Sequence, residues 1–227
     1  MGVKVGPRIV QNGLVFDIDA AVPRSYSGTG LTANGLVGGI GATLINGVGF
    51  TSSNNGSFIF DGSDDYIAVS GSNFPLGNSP RTINIWYYTN TSTWQANINN
   101  LFWYGTAAVT RQSFGIDFDT YPMMEFYSWG DDINWNTSAP QVGWKNLQIA
   151  YDGNLTLRIY ELGILVATKT FSAQLNTVLS TDVQIGAITY VPGYFDSNIS
   201  QVQIYNRALS EAEILQSYNA TKRRYGL

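Results

Sequence analysis

Apolar and polar residues alternate with a period of two in many short runs along the chain. In the first run, Leu14, Phe16 and Ile18 share one side of an extended backbone. Period two with one apolar face is typical of a half-buried β-strand. The clearest runs cover residues 14–19, 82–87, 155–160 and 201–204, and further strands are expected at 58–61, 66–69, 100–104, 113–118, 123–127, 145–151, 164–171 and 183–185.

Turn-forming residues separate these runs. Asp61-Gly62, Asp152-Gly153 and Pro192-Gly193 are clear examples, and Asp152-Gly153 between two strands predicts a hairpin because glycine tolerates a positive φ. About a dozen short strands without helices between them favour an all-β, antiparallel sandwich. The glycine-rich stretch 27–49 is interpreted as a long ordered loop, so residues 1–227 form a single domain.

One segment, residues 210–220, is predicted to be a short C-terminal helix. Ser210 precedes Glu213 by three residues, which is the spacing of a capping box, and Leu209 with Ile214 can form the accompanying hydrophobic staple. Ile214, Leu215 and Tyr218 are expected to dock on the sandwich. Residues 1–11 are interpreted as an N-terminal arm, and residues 221–227 as a basic tail.

Composition excludes several classes of function. The chain has no cysteine and no histidine, which rules out a Ser-His-Asp triad and any zinc site built on those residues. Its formal net charge is −4, so no nucleic-acid partner is expected. The one basic cluster, Lys222, Arg223 and Arg224, is interpreted as compensation of the helix dipole. No cofactor is predicted.

Membrane and secretion signals are not expected either. No stretch approaches the 18 apolar residues that a membrane-spanning helix needs. Residues 1–10 contain Lys4, Pro7 and Arg8 and lack the apolar run of a signal peptide.

Acidic residues offer two weak candidate sites. Asp117 and Asp119 fall on one strand face, but no Glu-x-Asp-x-Glu pattern accompanies them, so no catalytic residue is predicted. Asp61, Asp64 and Asp65 are weak calcium candidates. Because Asp61-Gly62 makes a turn and Asp64 can bond the turn backbone, a structural role is preferred and no metal site is predicted.

The loop around residues 129–136 is the best candidate for ligand binding. Exposed aromatic rings stack on sugar faces, and carboxylate or amide groups bond sugar hydroxyls. The alternative is that both tryptophans pack inward, as large aromatic residues usually do. The candidate glycan-binding residues are Trp129, Asp131, Asp132, Asn134 and Trp135.

Five segments, in order along the chain, resemble the laminin G-like (concanavalin A-like) jelly roll found in proteins of tailed bacteriophages and on bacterial surfaces. They are N-G-L-V-F-D-I-D-A at 12–20, S-F-I-F-D-G-S-D-D-Y-I at 57–67, T-I-N-I-W at 82–86, G-W-K-N-L with Y-D-G at 143–153, and Q-I-Y-N-R-A-L-S at 203–210. Residues 217–227 resemble the ends of phage virion proteins in particular. The stretch 31–39 departs from the family's pattern, because it lacks the usual tryptophan and acidic residue.

The resemblance implies a jelly-roll β-sandwich and a non-enzymatic structural role in a tailed-phage virion, as a head decoration or a tail- or fibre-associated module. Such a protein would be made in the host cytoplasm and located in the virion. Its partners would be other virion proteins and copies of itself in a homo-oligomer, of which a trimer is one arrangement. The alternative is a carbohydrate-binding adhesin or receptor-binding module that binds a cell-surface glycan, and a weaker one is a glycoside hydrolase.

Overall fold

Two antiparallel sheets of eight strands each lie face to face and hold the core between them. The computed structural model describes residues 7–53, 56–91, 93–94 and 99–227. Within them the strands are β1 (Leu14–Asp19), β2 (Thr32–Asn34), β3 (Gly41–Ile45), β4 (Gly49–Thr51), β5 (Ser57–Asp61), β6 (Tyr66–Val69), β7 (Arg81–Thr89), β8 (Asn99–Gly105), β9 (Ser113–Phe118), β10 (Met123–Tyr127), β11 (Ile133–Asn136), β12 (Gly143–Tyr151), β13 (Thr156–Glu161), β14 (Ile164–Thr170), β15 (Val183–Ile185), β16 (Ala187–Ile188), β17 (Gly193–Tyr194) and β18 (Asp196–Tyr205). Helix α1 (Glu211–Thr221) is followed by a 3-10 turn at Lys222–Tyr225.

The strand order interleaves distant parts of the chain. Sheet 1 has the order β14-β13-β12-β7-β18-β5-β4, with β1 also paired to β18. Sheet 2 has the order β11-β10-β9-β8-β15-β6-β3-β2, and β16 with β17 forms a separate short ladder. The all-β antiparallel sandwich with one short C-terminal helix is therefore confirmed.

The apolar side of each period-two run faces the other sheet. On β7 the inward residues are Ile83, Ile85 and Tyr87, and all are buried. Phe118 of sheet 2 stacks on Phe195 with ring centroids 5.6 Å apart. Since burying one such side chain contributes about 1.5–3 kcal/mol, this inner layer is the main source of stability.

The period-two pattern predicted several strands with their exact bounds. Five predicted strands coincide to the residue with β1, β6, β9, β10 and β15. The predicted Asp152-Gly153 hairpin is also confirmed: it joins β12 to β13, and the Asp152 carboxylate accepts bonds from the backbone N–H groups of Asn154 and Thr156.

The interpretation of residues 27–49 as a loop was wrong, because this stretch contains β2 and β3 and the first residue of β4. The alternation is present, but its buried positions in β2 and early β3 are Ala33 and Ala42, which carry little apolar signal. The predicted loop at 129–136 likewise contains β11, which forms a hairpin with β10.

The centre of the outer face of sheet 1 is polar and nevertheless buried. The side-chain amide of Asn84 donates to Gln203 and accepts from Asn146, with donor–acceptor distances of 2.7 Å in both cases. Gln203 and Gln201 in turn donate to the two carboxylate oxygens of Asp17, at 3.1 and 3.0 Å. These bonds form an amide ladder that crosses β12, β7, β18 and β1.

Helix α1 and the 3-10 turn cover this ladder. Ser210 and Glu213 form the predicted capping box. The ring of Trp86, on the outer face of β7, stacks on Tyr225 at 3.9 Å and donates its indole N–H to Thr221. Arg224 makes an ion pair with Asp19 at 2.7 Å.

The C-terminal segment differs from the prediction in two respects. Leu215 is exposed, while Ile214 and Ser217 are buried, because positions three apart share the face that meets the sheet. Residues 222–225, expected in a basic tail, form the docked 3-10 turn. Of the expected N-terminal arm, residues 1–6 lie outside the described residues, and Val10 is buried against β18, where it accepts a bond from Tyr205.

No helix in the described ranges is both long enough and apolar enough to cross a bilayer.

We predict that Asp17→Asn flattens the pH dependence of stability between pH 4 and pH 6. Burial, only partly offset by the Gln203 and Gln201 hydrogen bonds, raises the pKa of Asp17 from 3.8 to about 6, with Asp19 adding to the rise and Arg224 opposing it. The folded state therefore holds the proton more tightly than the unfolded state. The Asp17 carboxyl therefore stabilises the folded state most below pH 4. Its contribution to the free energy of unfolding falls by about 3 kcal/mol as the pH rises from 4 to 6.

Urea unfolding at several pH values measures this effect, with the exposed Asp182→Asn as the matched control. The new amide can be accommodated because Gln201 Oε1 is buried and has no hydrogen-bond partner, so it is free to accept. Parallel stability profiles for wild type and Asp17→Asn would contradict the assignment.

Candidate functional site

The outer face of sheet 2 carries the candidate site, and alternation in β8, β9 and β10 sets which side chains reach it. In β9, Phe114, Ile116 and Phe118 point into the core, so Gly115 and Asp117 face outward. β8 carries a bulge between Asn100 and Phe102. A bulge re-aims side chains, and here it places both Leu101 and Phe102 in the core.

A cavity of about 240 Å³ opens on this outer face. Three of its lining residues are acidic and two are aromatic, and we call it the acidic pocket. Its lining comprises Asn100, Asp117, Glu125, Tyr127, Trp129, Gly130, Asp132, Ile188 and Val191.

Gly115 makes room for the floor of the acidic pocket. Gly115 and Tyr127 are directly paired across β9 and β10, and a Cβ on Gly115 would lie only 2.2 Å from Cζ of Tyr127. The tyrosine ring therefore lies flat over the glycine. Its hydroxyl donates to Oδ1 of Asn100 at 2.8 Å, which fixes the amide of Asn100 on the neighbouring strand.

The turn after β10 presents Trp129. The Asp132 carboxylate accepts bonds from the backbone N–H groups of Ser128 and Gly130, at 2.6 and 3.0 Å, and closes the turn. Trp129 has a φ of 61°, a left-handed conformation that is costly for a bulky residue. Its ring makes edge-to-face contacts with Tyr127 and Tyr190. Its indole N–H is buried and has no hydrogen-bond partner.

Two carboxyl groups face each other on the pocket floor. Asp117 and Glu125 are directly paired across β9 and β10. Burial, followed by the charges of Glu125, Asp119 and Asp132, raises the pKa of Asp117 to about 8. Burial and the charges of Asp132 and Asp119 also raise the pKa of Glu125. Asp117 is therefore protonated at neutral pH and can donate a hydrogen bond.

The structure separates the five sequence-predicted glycan residues. Trp129 and Asp132 line the acidic pocket. Trp135 is buried and donates its indole N–H to Glu161 at 2.8 Å on the core side. Asn134 is exposed on β11 and donates to the sulfur of Met123.

Asp131 is engaged in structural contacts. It makes an ion pair with Lys169 at 2.9 Å and accepts bonds from the backbone and hydroxyl of Ser172. Burial alone would raise the pKa of Asp131, but the bonds from Ser172 and Lys169 outweigh it and lower the pKa to about 2.

Asp61, Asp64 and Asp65 do come together, with one carboxylate oxygen of each within 4.8 Å of the others. Asp61 accepts a bond from the backbone of Ser63, and Asp65 accepts one from the backbone of Asp61. Burial, then the charges of Asp61 and Asp64, raises the pKa of Asp65. The cluster thus combines a ligand set suitable for calcium with turn bonds made by Asp61 and Asp65, where the sequence had predicted them for Asp64.

Sequence reasoning missed Asn100, Glu125 and Tyr127. It paired Asp117 with Asp119, whereas the direct partner of Asp117 is Glu125 on the next strand. Asp119 lies just beyond β9, and its carboxylate accepts from the backbone N–H of Thr120. The available signal was the hairpin itself, since two adjacent predicted strands at 113–118 and 123–127 define which residues face each other.

A sequence profile of the Laminin_G_3 family, described as the concanavalin A-like lectin/glucanases superfamily, matches residues 61–215. A search of curated protein sequences returns no significant match.

Solved structures share the fold at low sequence identity. Domain 4 of the extracellular arabinanase AbnA from Geobacillus stearothermophilus, solved with arabinotriose, superposes with a TM-score of 0.69 at 13% identity, over 92% of this chain and 100% of that one. The binding domain of botulinum neurotoxin serotype G gives a TM-score of 0.70 at 15% identity, over 90% of this chain and 50% of that domain. A sialidase from Trypanosoma rangeli gives a TM-score of 0.69 at 15% identity, over 96% of this chain and 35% of the sialidase.

These likenesses establish the fold alone. This chain spans about half of the neurotoxin binding domain and about a third of the sialidase. The profile match, in contrast, covers well over half of this chain and agrees with its two antiparallel sheets. The chain therefore belongs to the Laminin_G_3 family of the concanavalin A-like lectin/glucanases superfamily.

Proposed function

We propose that this chain is a carbohydrate-binding module and that the acidic pocket is its binding site. The observation that carries the proposal is the combination of aromatic and polar groups in one cavity. Trp129 and Tyr127 supply ring surface, while Asn100, Asp117 and Asp132 supply groups that bond hydroxyls. Concave sites with an apolar surface and a few convergent polar groups are the usual form of small-ligand sites.

The charge of the acidic pocket defines the class of sugar. Asp117, Glu125 and Asp132 lie together, and the described lining contains no basic residue. A sialic acid or uronic acid would bring a further negative charge into a partly buried acidic site, which is electrostatically unfavourable. The ligand we propose is therefore a neutral or amino sugar.

The family and its structural neighbours support a binding role. The arabinanase domain was solved with arabinotriose, and the neurotoxin neighbour is itself a binding domain. The site proposed here rests on the residues of this chain, since identities of 13–15% carry over no individual contact.

Glycoside hydrolysis is a second candidate, favoured by the pairing of Asp117 with Glu125. Hydrolases place two carboxyl groups on either side of the scissile bond and need one of them protonated. Asp117 meets the second condition, because its pKa of about 8 keeps it protonated at neutral pH. The binding role is preferred because no Glu-x-Asp-x-Glu pattern accompanies Asp117.

The biological setting we propose is the tailed-phage virion, with homo-oligomeric assembly. The setting rests on the sequence resemblance, and assembly is supported by the open edge of sheet 1. β14 ends that sheet, and its Ile164 and Leu165 are 67% and 42% exposed. An apolar edge strand with unpaired backbone groups is suited to pair with a second copy.

We expect a glycan array to show binding to neutral or amino sugars and little binding to sialylated or uronic acid glycans. Trp129→Ala should raise the Kd for the best ligand at least tenfold, about 1.4 kcal/mol, through loss of ring contact. Tyr121→Ala is the matched control, since Tyr121 is a partly exposed aromatic outside the pocket.

Absence of binding to every class of glycan, or equal binding by Trp129→Ala, would overturn the proposal. The same oligosaccharides should be checked for release of reducing ends. Cleavage that is lost in both Asp117→Asn and Glu125→Gln would establish the hydrolase instead.

Binding should weaken as pH rises from 7 to 9. A bound sugar excludes water from Asp117, which further favours its neutral form, so the complex holds the proton more tightly than the free protein. By linkage, Kd rises as pH passes the free-state pKa of about 8, with Glu125, Asp119, Asp132 and Tyr127 as the neighbouring titratable groups. Titration calorimetry measures this, and Asp117→Asn should bind with little pH dependence. A wild-type Kd that is constant over this range would contradict the assignment.

Light scattering should detect an oligomer of the purified protein. Ile164→Lys should shift it toward monomer, because a charge on an open edge strand blocks edge-to-edge pairing. Val178→Lys, at a site 42% exposed and outside β14, should leave the mass unchanged. A strict monomer at high protein concentration would refute assembly, and absence of the protein from purified phage particles would refute the virion setting.

A further inference from the structure

A second cavity of about 310 Å³ lies beside the acidic pocket. Residues 188–191 form the ridge between the two cavities: Ile188 and Val191 line the acidic pocket, while Thr189 and Tyr190 line the second. The second lining contains four hydroxyl-bearing Ser and Thr side chains, and we call it the hydroxyl pocket. It comprises Trp103, Thr106, Ala107, Ser180, Thr181, Thr189 and Tyr190.

The two pockets share a strand and an aromatic surface. Asn100 of the acidic pocket and Trp103 of the hydroxyl pocket both belong to β8, whose bulge leaves them outside the core. The Tyr190 ring is 62% exposed and contacts the Trp129 ring edge-to-face, with centroids 6.1 Å apart. Aromatic surface therefore runs from one pocket into the other without interruption.

The hydroxyl pocket offers acceptors that are already oriented. Thr106 and Ser180 donate their hydroxyl protons to backbone carbonyls of Val178 and Gly105, at 2.8 Å each. The hydroxyl of Thr189 is held by a bond from the Gln184 amide, also at 2.8 Å. Since a hydroxyl oxygen has two lone pairs, each donating hydroxyl here can still accept a bond from a ligand hydroxyl.

The lining also includes a tryptophan whose indole donor is buried and unpaired. Trp103 is 2% exposed, and its indole N–H has no hydrogen-bond partner. An unpaired buried donor costs free energy that an acceptor can recover. The described lining carries no charged side chain, so the chemistry of the hydroxyl pocket fits an uncharged, hydroxyl-rich unit.

We infer that the hydroxyl pocket is a second sugar subsite and that the ligand is an oligosaccharide lying across the Tyr190 ridge. This inference rests on the proposed function and extends it from a single sugar to a chain. The acidic pocket binds one neutral or amino sugar, and the hydroxyl pocket binds a neutral sugar further along the same chain.

The test uses xylo-, arabino- and glucosamine oligosaccharides of one to six units, with affinity measured by titration calorimetry. For the series that binds, Kd should fall about tenfold or more when the chain becomes long enough to reach the second pocket. Ala107→Leu fills the hydroxyl pocket and should abolish that gain while leaving the Kd of the shortest ligand unchanged within twofold. Val109→Leu, on the same loop but outside both linings, should behave like wild type.

Indole N–H signals in nitrogen-15 NMR spectra provide an independent readout. Short ligands should shift the signal of Trp129 alone, and longer ones should also shift that of Trp103. Affinity that does not grow with chain length, or a gain that survives in folded Ala107→Leu, would overturn the second subsite and leave the proposed function intact. If wild type bound neither these three series nor any glycan of the array, the proposed function and the second subsite would both be rejected.

Discussion

The structure depends on how the buried polar outer face of sheet 1 is satisfied. A sandwich of two sheets has one shared inner face and two outer faces, and an outer face normally meets water. Here the amide ladder from Asn146 through Asn84 and Gln203 to Asp17 is removed from water. Its groups must therefore bond one another, because a buried polar group without a partner costs about 1–3 kcal/mol.

Coverage of that ladder by the C-terminal segment determines which surface is open for binding. Trp86 and Trp144 in sheet 1 could offer aromatic surface to a ligand, but Tyr225 packs against both, at 3.9 and 4.8 Å. The ion pair between Arg224 and Asp19 holds this cover in place. The outer face of sheet 2 carries no such cover in the described residues, and both pockets lie there. The position of the C-terminal helix therefore explains why the outer face of sheet 1 is covered while that of sheet 2 carries the pockets.

The fold was predictable from the sequence where large apolar residues alternate with small or polar ones. β9 and β10 were predicted to the residue because Phe114, Ile116 and Phe118 alternate with small or polar positions. β2 and β3 were missed because the alanines at their buried positions give little contrast. The face of α1 was misassigned at Leu215, since the contact with sheet 1 depends on the docking angle of the helix, which no local pattern records.

The site was less predictable, because it depends on contacts between strands. Trp129 and Trp135 look equivalent in the sequence, yet one lines the acidic pocket and the other bonds Glu161 in the core. Which one stays outside is decided by the turn at residues 128–132 and by the pairing of β11 with β10. Asn100 reaches the pocket only because a bulge shifts the register of β8.

The acidic pocket concentrates features that reduce stability. Trp129 has a left-handed backbone, its indole N–H is unpaired, and Asp117 is a buried acid beside Glu125. Strain of this kind costs about 1–3 kcal/mol per residue and persists only where the surrounding structure imposes it. The contacts that impose this geometry are the Asp132 bonds that close the turn and the Tyr127 ring that lies over Gly115.

A surface kept only for stability would not need an unpaired donor and a protonated acid in the same cavity. A hydroxyl-rich ligand can accept the hydrogen bond that protonated Asp117 donates, and this physical argument supports the proposed carbohydrate binding.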